Sequence, residues 1–212
     1  SAGGTLLVNG ILNATSFSSS WNPTVTVNGT MTVAGNWLYS IYATTTLGGQ
    51  GTISIGSMTL QNASTSVNFG SGGTTLSIAG TFAMNSTNTF TQSAGTVNMN
   101  SAAADDVRIG SGGTGTYALN GGTYNALNAA TTIAYGNTGI FTVAGGTANV
   151  AGMKFGTGAS TATGTLNLNS GRLNVGAGGI TDGSTGANTI NVSLAGGTLG
   201  SLAAWTSNLN ST

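Results

Sequence analysis

The chain has 212 residues, 37 of them glycine. Only 3% of its residues are charged, its formal net charge is zero, and it contains no His and no Cys. This length suits one domain with a core of its own, and the 39% of hydrophobic residues argues against a disordered chain. The composition excludes a disulfide framework and thiol chemistry, and the lack of a basic patch argues against nucleic-acid binding. No apolar run approaches the roughly 18 residues that a membrane-spanning helix needs.

The N-terminal part of the chain, up to Met84, predicts short strand–glycine–strand units. Apolar and polar residues alternate with the period of two that is typical of β-strands, and Thr, Val and Ile favour that conformation. The units are TLLVNGIL, TVTVNGTMTVAG, TISIGSMTL and TTLSIAGTFAM, at residues 5–12, 24–35, 52–60 and 74–84. Their central glycines are Gly10, Gly29, Gly56 and Gly80.

Residues 16–47 are the least regular part of this half. The Trp and Tyr residues in this stretch are Trp21, Trp37, Tyr39 and Tyr42. We expect a side loop near residues 16–47 that packs these side chains against the rest of the domain. An exposed patch that contacts a neighbouring molecule is the alternative.

Residues 85–200 carry a repeat with a regular period. Five related hexapeptides, AGTVNM, GGTYNA, GGTANV, SGRLNV and GGTLGS, begin at residues 94, 121, 145, 170 and 196. Each follows an alternating strand pattern, and Gly-rich corners separate the units. Self-similarity at a fixed period of roughly 25 residues is the sequence signature of a solenoid.

These patterns predict an all-β fold: one parallel β-solenoid domain over residues 1–212, with roughly 25-residue rungs, where a rung is one complete turn of the coil. Residues 1–84 form its less regular rungs and 85–200 its regular ones. Asn-Gly and Gly-Gly pairs also favour tight hairpins, so a barrel or sandwich built from hairpins is the alternative. The recurrence of identical residues at one position favours the solenoid, because parallel rungs stack like residues on like.

Stacking predicts two columns of identical residues. One consists of Thr96, Thr123, Thr147 and Thr198 and is interrupted by Arg172, and the other consists of asparagines. Rungs lie about 4.8 Å apart, so asparagines in register are expected to pass hydrogen bonds along the axis, as a ladder at a bend of the strand. The ladder residues are Asn98, Asn125, Asn149 and Asn174; Gly200 takes their place in the fifth copy, as suits an atypical last rung. The corner glycines, which are predicted to have positive φ, are Gly95, Gly122, Gly146, Gly171 and Gly197.

The charged residues offer little chemistry. General acid–base catalysis needs positioned titratable groups, and the only close carboxylate pair, Asp105 and Asp106, is predicted to point to opposite faces of a strand. We interpret this pair, with Arg108, as a solvated corner; a calcium site is the weaker interpretation. Without His or Cys the chain has no Ser-His or Cys-His nucleophile system and lacks the usual ligands of transition metals. The sequence therefore predicts neither an enzyme nor a cofactor.

The two ends of the predicted coil carry apolar residues. A solenoid end is a row of unpaired backbone groups, which soluble solenoids normally cap. The predicted assembly contacts are Leu6 and Val8 at the start of the chain and Leu202, Trp205 and Leu209 in residues 201–212, a C-terminal cap or docking tail. Because Ser1 rather than Met comes first, we expect a leader to have been removed.

The regular repeats resemble a known family. GTYALNGGTYNAL at 115–127, GIFTVAGGTANVAG at 139–152 and GTLNLNSGRLNVGAGG at 164–179 look like the β-strand repeats of bacterial autotransporter passenger domains and related repeat-rich secreted surface proteins. The resemblance implies a right-handed parallel β-helix outside the bacterial cell, often as a stalk or surface fibre. It carries over no catalytic residue.

The combined expectation is an extracellular structural protein, a subunit of a fibre or surface layer whose main partner is a second copy of itself, stacked head to tail. A chain with so few charges lacks the usual protection against association, and a contact that does not close generates a filament. The alternative is a monomeric surface adhesin, or a solenoid that binds glycan or ice. Ice binding would require the outward alternation of Thr24, Thr26, Thr30 and Thr32 to recur as two columns over several rungs.

Overall fold

A computed structural model of the chain describes residues 3–19, 21–39, 44–62, 64–158 and 161–209. Within these ranges there is no helix, and every β-pairing is parallel. The predicted parallel β-solenoid is therefore confirmed, and the hairpin-based alternative is wrong. Ser1, Tyr42 and residues 210–212 of the predicted tail lie outside the described ranges.

The coil is built from short strands separated by tight corners. They are β1 (Thr5–Val8), β2 (Ile11–Ala14), β3 (Phe17–Ser19), β4 (Thr24–Val27), β5 (Thr30–Tyr39), β6 (Thr44–Gly49), β7 (Thr52–Leu60), β8 (Thr65–Ser71), β9 (Thr75–Ile78), β10 (Phe82–Met84), β11 (Asn88–Gln92), β12 (Thr96–Met99), β13 (Val107–Ile109), β14 (Gly115–Leu119), β15 (Thr123–Ala126), β16 (Thr131–Ile133), β17 (Gly139–Val143), β18 (Thr147–Gly158), β19 (Thr163–Leu168), β20 (Arg172–Ser184), β21 (Thr189–Ser193) and β22 (Thr198–Ser201).

The strands form three faces, which the chain visits in the same order in each turn. The first face is a nine-stranded sheet in the order β1-β4-β6-β8-β11-β14-β17-β19-β21. The second face consists of β2, β9, β12, β15 and β22 with the first halves of β5, β7, β18 and β20. The third face consists of β3, β10, β13 and β16 with the second halves of the same four long strands.

The rungs differ in length, but most strand pairs keep register from end to end. Register shifts occur in three pairs, β5 with β7, β6 with β8 and β18 with β20. The rung that leads from Ile11 to its partner Thr30 is shorter than the rung that leads from Thr96 to its partner Thr123. The longer rung places its extra residues in the corner between β12 and β13. Insertions at a corner leave the stacked faces undisturbed, and the columns of side chains therefore continue from one end of the coil to the other.

The inward side chains form a stacked core. The ring centroids of Phe90 and Tyr117 lie 5.0 Å apart and those of Tyr117 and Phe141 lie 5.3 Å apart, with interplanar angles of 14° and 12°. Tyr124 packs edge-on against Tyr117, and all four rings are fully buried. The Tyr117 hydroxyl donates to Oε1 of the buried Gln92 at 2.7 Å. Burial raises the pKa of Tyr117 and of Tyr124, so both hydroxyls stay neutral and can donate.

In the described part of residues 16–47, which is 16–19, 21–39 and 44–47, the expected side loop is not present. The described part of this segment forms β3, β4, β5 and the first part of β6, which are ordinary members of the three faces. Trp37 and Tyr39 are fully buried with their ring centroids 5.6 Å apart, and Nε1 of Trp37 donates to Oγ of Ser19 at 2.8 Å. Trp21, by contrast, is 56% exposed. Trp37 and Tyr39 therefore fill the interior of the first rungs, whereas Trp21 lies on the surface.

Candidate functional site: stacked polar columns

The four ladder asparagines occupy one column of the second face. Strand register pairs Asn98 with Asn125, Asn125 with Asn149, and Asn149 with Asn174. The Nδ2 atom of each donates to Oδ1 of its predecessor, at 2.9 Å for Asn125 and Asn149 and at 2.8 Å for Asn174. Every amide donates in the same direction, so the side chains form one continuous, polarised chain of hydrogen bonds along the coil.

The ladder lies within the strands, and the expected position at a bend was wrong. In β15, Tyr124 is buried, whereas Thr123 and Asn125 on either side of it are half-buried and face outward, as strand alternation requires. The backbone at this point is already paired to the rungs before and after. The amides therefore tie neighbouring rungs together on the outer surface and do not compensate for a weakened strand ladder.

Each end of the ladder has a different partner. At one end, Nδ2 of Asn98 donates to Oγ of Ser77 at 3.4 Å. At the other end, a guanidinium nitrogen of Arg172 donates to Oδ1 of Asn174 at 3.3 Å. Gly200 is the strand partner of Asn174, and a Cβ at this glycine would lie 2.2 Å from the same Oδ1. Glycine in place of asparagine at position 200 therefore leaves room for the Arg172 side chain to bind the last amide of the ladder.

Substitution of a central ladder residue tests how much the ladder contributes to the free energy of unfolding. We expect Asn125→Ala to lower the free energy of unfolding by about 1–2 kcal/mol, because it removes two hydrogen bonds worth about 0.5–1.5 kcal/mol each and leaves both neighbours partly unpaired. Guanidinium denaturation followed by far-UV circular dichroism measures the change. The matched control is Asn68→Ala on the first face, an exposed outward asparagine, for which we expect a change within about 0.5 kcal/mol. Equal losses in both variants would contradict the ladder's role.

The five corner glycines also stack on one another. All have left-handed backbones, with φ of 68°, 76°, 67°, 72° and 76° for Gly95, Gly122, Gly146, Gly171 and Gly197. A Cβ at Gly122 would lie 2.3 Å from the carbonyl oxygen of Gly95, and that oxygen accepts a hydrogen bond from the Thr123 amide at 2.9 Å. Both the backbone conformation and the close approach of the preceding rung therefore require glycine here.

The glycines assigned as unit centres in the N-terminal part of the chain belong to two different corners. Gly10 and Gly29 continue the corner column between the first and second faces, where they accept hydrogen bonds from the amides of Thr30 and Thr52. Gly56 and Gly80 lie at the corner between the second and third faces, where the Gly80 amide donates to the Gly56 carbonyl at 2.6 Å. The boundaries of the units inferred from the sequence therefore do not coincide with the boundaries of the rungs.

The adjacent carboxylates Asp105 and Asp106 have separate partners beside the third face. Oδ1 of Asp105 accepts hydrogen bonds from Nζ of Lys154 at 2.7 Å and from Oγ1 of Thr132 at 3.0 Å. Oδ1 of Asp106 accepts from Oγ1 of Thr81 at 3.1 Å, and its other oxygen accepts from the Ser101 hydroxyl.

Arg108 completes this group. A guanidinium nitrogen of Arg108 lies 3.9 Å from Oδ1 of Asp106, and its Cζ lies 4.7 Å from the centroid of the Tyr135 ring. The two carboxylates thus point to different partners, but not through strand alternation, because both precede β13 and Asp105 has a left-handed backbone with a φ of 62°. Protein donors already bind Oδ1 of Asp105 and both oxygens of Asp106. No group of three or more His, Cys, Asp or Glu side chains that would hold a metal occurs among the described residues. The arrangement is that of an ion-pair cluster linking adjacent rungs.

The predicted assembly contacts divide between the two ends of the coil. Val8 is only 6% exposed, and Leu6 packs partly buried against the core. In the tail, Trp205 and Leu209 pack partly buried against the core, whereas Leu202 is 48% exposed. A bridge between Ile180 and Ser207 lays the tail along the third face. The tail therefore covers one side of this end.

The predicted threonine column extends further than the sequence indicated, from Thr96 back through the N-terminal rungs to Thr30. Outward threonines occupy the same position of the second face in six successive rungs, beside the column that contains the asparagine ladder. These threonines are Thr30, Thr52, Thr75, Thr96, Thr123 and Thr147. The alternating threonines of residues 24–33 do not lie on one face: Thr24 and Thr26 lie in β4 on the first face, and Thr30 and Thr32 lie in β5 on the second.

The described residues contain no helix with the length and apolar character to cross a bilayer. Comparisons of the chain with family models, curated proteins and solved structures return no match.

Proposed function

We propose that this protein is an extracellular structural subunit of a fibre or surface layer, in which copies of the solenoid stack end to end. The observation that carries the proposal is the state of the end rungs. Among the described strands, β1 and β2 pair along one edge only, with β4 and β5, and β21 and β22 pair along one edge only, with β19 and β20. Unpaired strand edges are ready templates for further pairing.

Among the described residues, the core is also open at the end formed by β21 and β22. Val192 continues the inward column of Leu166, and Leu199 continues that of Leu173. Leu166 and Leu173 are fully buried, whereas Val192 is 39% and Leu199 is 37% exposed. A further rung placed on this end would bury both side chains, at about 25 cal/mol for each Å² of apolar surface removed from water.

The direction of stacking follows from the parallel pairing. The free edges at the two ends belong to opposite sides of the rungs, so one end is complementary to the other and not to itself. Such a heterologous contact does not close by symmetry and generates a filament. The low charge supports the same proposal, because only 3% of residues are charged and stacked copies repel each other weakly.

The extracellular location is supported by the resemblance of residues 115–179 to the repeats of bacterial autotransporter passenger domains. The proposal includes no catalytic activity and no cofactor. The charged groups best placed for chemistry, around Asp105 and Asp106, bind one another and neighbouring hydroxyl groups.

Negative-stain electron microscopy over a dilution series tests the proposal. We expect uniform fibres with an axial repeat near the length of nine stacked strands, about 40 Å. Val192→Lys places a charge at the open end and is expected to shorten or abolish the fibres. The matched control is Leu127→Lys, at a 54% exposed leucine on the side of the coil, which is expected to leave the fibres intact. Discrete short rods of the unaltered protein at every concentration would overturn the proposal.

A further inference from the structure

We propose that the second face of the coil binds ice. The proposed surface, called the hydroxyl–amide array below, consists of two adjacent outward columns over six rungs. The first column is Thr30, Thr52, Thr75, Thr96, Thr123 and Thr147, and the second is Thr32, Ser54, Ser77, Asn98, Asn125 and Asn149. Each rung thus presents one threonine and, two residues later, a second hydroxyl or amide. Of these six rungs, only that of Thr30 and Thr32 has the threonine pair named in the sequence analysis, so the proposal rests on one threonine column beside a mixed polar column.

Strand geometry makes this surface a two-dimensional lattice. Successive rungs repeat every ~4.8 Å along the axis, and positions i and i+2 of a strand lie about 6.6 Å apart. Six rungs therefore give an array about 24 Å long, with polar groups repeating in both directions. A periodic surface of this kind fits a partner with the same spacing, because a polar contact made at one rung is then repeated at each further rung.

The array is held rigid before any partner arrives. Threonine is branched at Cβ, so few side-chain rotamers are available to it on a strand. In the second column, the hydrogen bonds of the ladder fix the amides of Asn125 and Asn149 at 2.9 Å from their predecessors. Preorganised side chains lose little entropy on binding, which matters for a ligand that offers only weak individual contacts.

The charge distribution favours a neutral partner. Five of the chain's six charged side chains, Asp105, Asp106, Arg108, Lys154 and Asp182, lie on or beside the third face. The array itself carries no charge, and it ends where Arg172 takes the place of threonine. Ions hold tightly bound hydration water that an ordered lattice of water would have to displace. Threonine instead offers a hydroxyl that joins such a lattice and a methyl group that excludes mobile water.

Ice is favoured over a neutral polysaccharide by the composition of the array. Proteins that hold sugars commonly rest a sugar ring on an aromatic side chain, whereas both columns consist of Thr, Ser and Asn only. The first face also presents outward threonines, but Ala118 and Ile140 interrupt its two columns at neighbouring rungs. The second face therefore has the longer uninterrupted array, and the proposal is made for that face.

The test measures inhibition of ice recrystallisation and thermal hysteresis with the whole purified chain. We expect the unaltered protein to inhibit recrystallisation. We expect Thr123→Lys, at the centre of the array, to need a protein concentration at least about tenfold higher for the same inhibition, because an ammonium group cannot enter the interface without losing its hydration. Thr52→Lys, at an exposed position of the same column, is the second variant. The matched control is Thr59→Lys on the third face, for which we expect unchanged activity.

Other outcomes overturn the proposal. The proposal is wrong if the unaltered protein has no activity on ice. It is also wrong if Thr59→Lys and Thr123→Lys lose the same activity on ice while circular dichroism shows all variants folded. The array would instead be assigned to a polysaccharide if the unaltered protein bound microcrystalline cellulose but not ice, and if Thr123→Lys no longer bound cellulose. The test does not depend on fibre formation, because short rods and stacked copies present the same face.

Discussion

Replacement of Tyr117 by alanine is expected to lower the free energy of unfolding by about 3–5 kcal/mol, the largest effect of any single substitution proposed for this protein. The Tyr117 ring lies between those of Phe90 and Phe141 and meets Tyr124 edge-on. Alanine would leave a cavity in the middle of this stack, which the two adjacent rungs cannot close without losing register. Guanidinium denaturation, followed by circular dichroism and by intrinsic fluorescence, measures the loss.

Two controls separate the ring from its hydroxyl and from the strand. Tyr117→Phe keeps the stack but leaves Oε1 of Gln92 without its donor, and we expect a loss of about 1–2 kcal/mol. Thr116→Ala changes the neighbouring outward residue of β14 and is expected to stay within about 0.5 kcal/mol. A loss below about 1 kcal/mol for Tyr117→Ala would mean that the aromatic stack contributes little to the fold.

Gly122→Ala is expected to destabilise the coil by at least about 2 kcal/mol and to lower Tm by about 5 °C or more. Gly122 has φ of 76°, and a Cβ at this position would lie 2.3 Å from the carbonyl oxygen of Gly95 in the preceding rung. The substitution therefore combines an unfavourable left-handed backbone with a clash that only a shift of the rung relieves. Differential scanning calorimetry measures the change.

Gly10→Ala is the matched control for the corner. Gly10 lies in the same column, but no atom lies within 4 Å of a Cβ placed there, and its backbone is not left-handed. We expect this substitution to be neutral or slightly stabilising, because alanine restricts the unfolded chain. If both substitutions lowered the free energy of unfolding by similar amounts, the close approach of the preceding rung would not be the reason that Gly122 must be glycine.

The sequence predicted the fold because the regular rungs repeat the same residues at the same corner. Glycine followed by threonine and, two residues later, asparagine marks the start of β15 and β18, and the structure stacks these positions in register. The bend expected for the ladder was wrong for a local reason. Gly122 forms the corner and the strand begins at Thr123, so Asn125 is already the third residue of a strand and faces outward.

The first half was harder to interpret because its rungs are shorter and its corners do not share one residue type. Gly56 was assigned as the centre of a unit, but the corner between the first and second faces is at Gly51, whose carbonyl accepts from the Thr75 amide. That error in the unit boundaries concealed the continuation of the threonine column into the first half, since Thr52 and Thr75 align only when Gly51 marks the corner. The side loop was inferred from irregular spacing, yet Trp37 and Tyr39 alternate with an outward residue as in any strand.

The arrangement of the rungs has a mechanical consequence. Strands pair only with strands of the preceding or following turn, so a force applied at one end of the chain loads a single rung at a time. The rung that leads from Asn125 to its partner Asn149 spans about 80 Å when its chain is pulled straight, whereas the same rung adds only ~4.8 Å to the coil. A stretched molecule therefore lengthens in large, discrete steps and dissipates work at each step, while the remaining rungs stay wound.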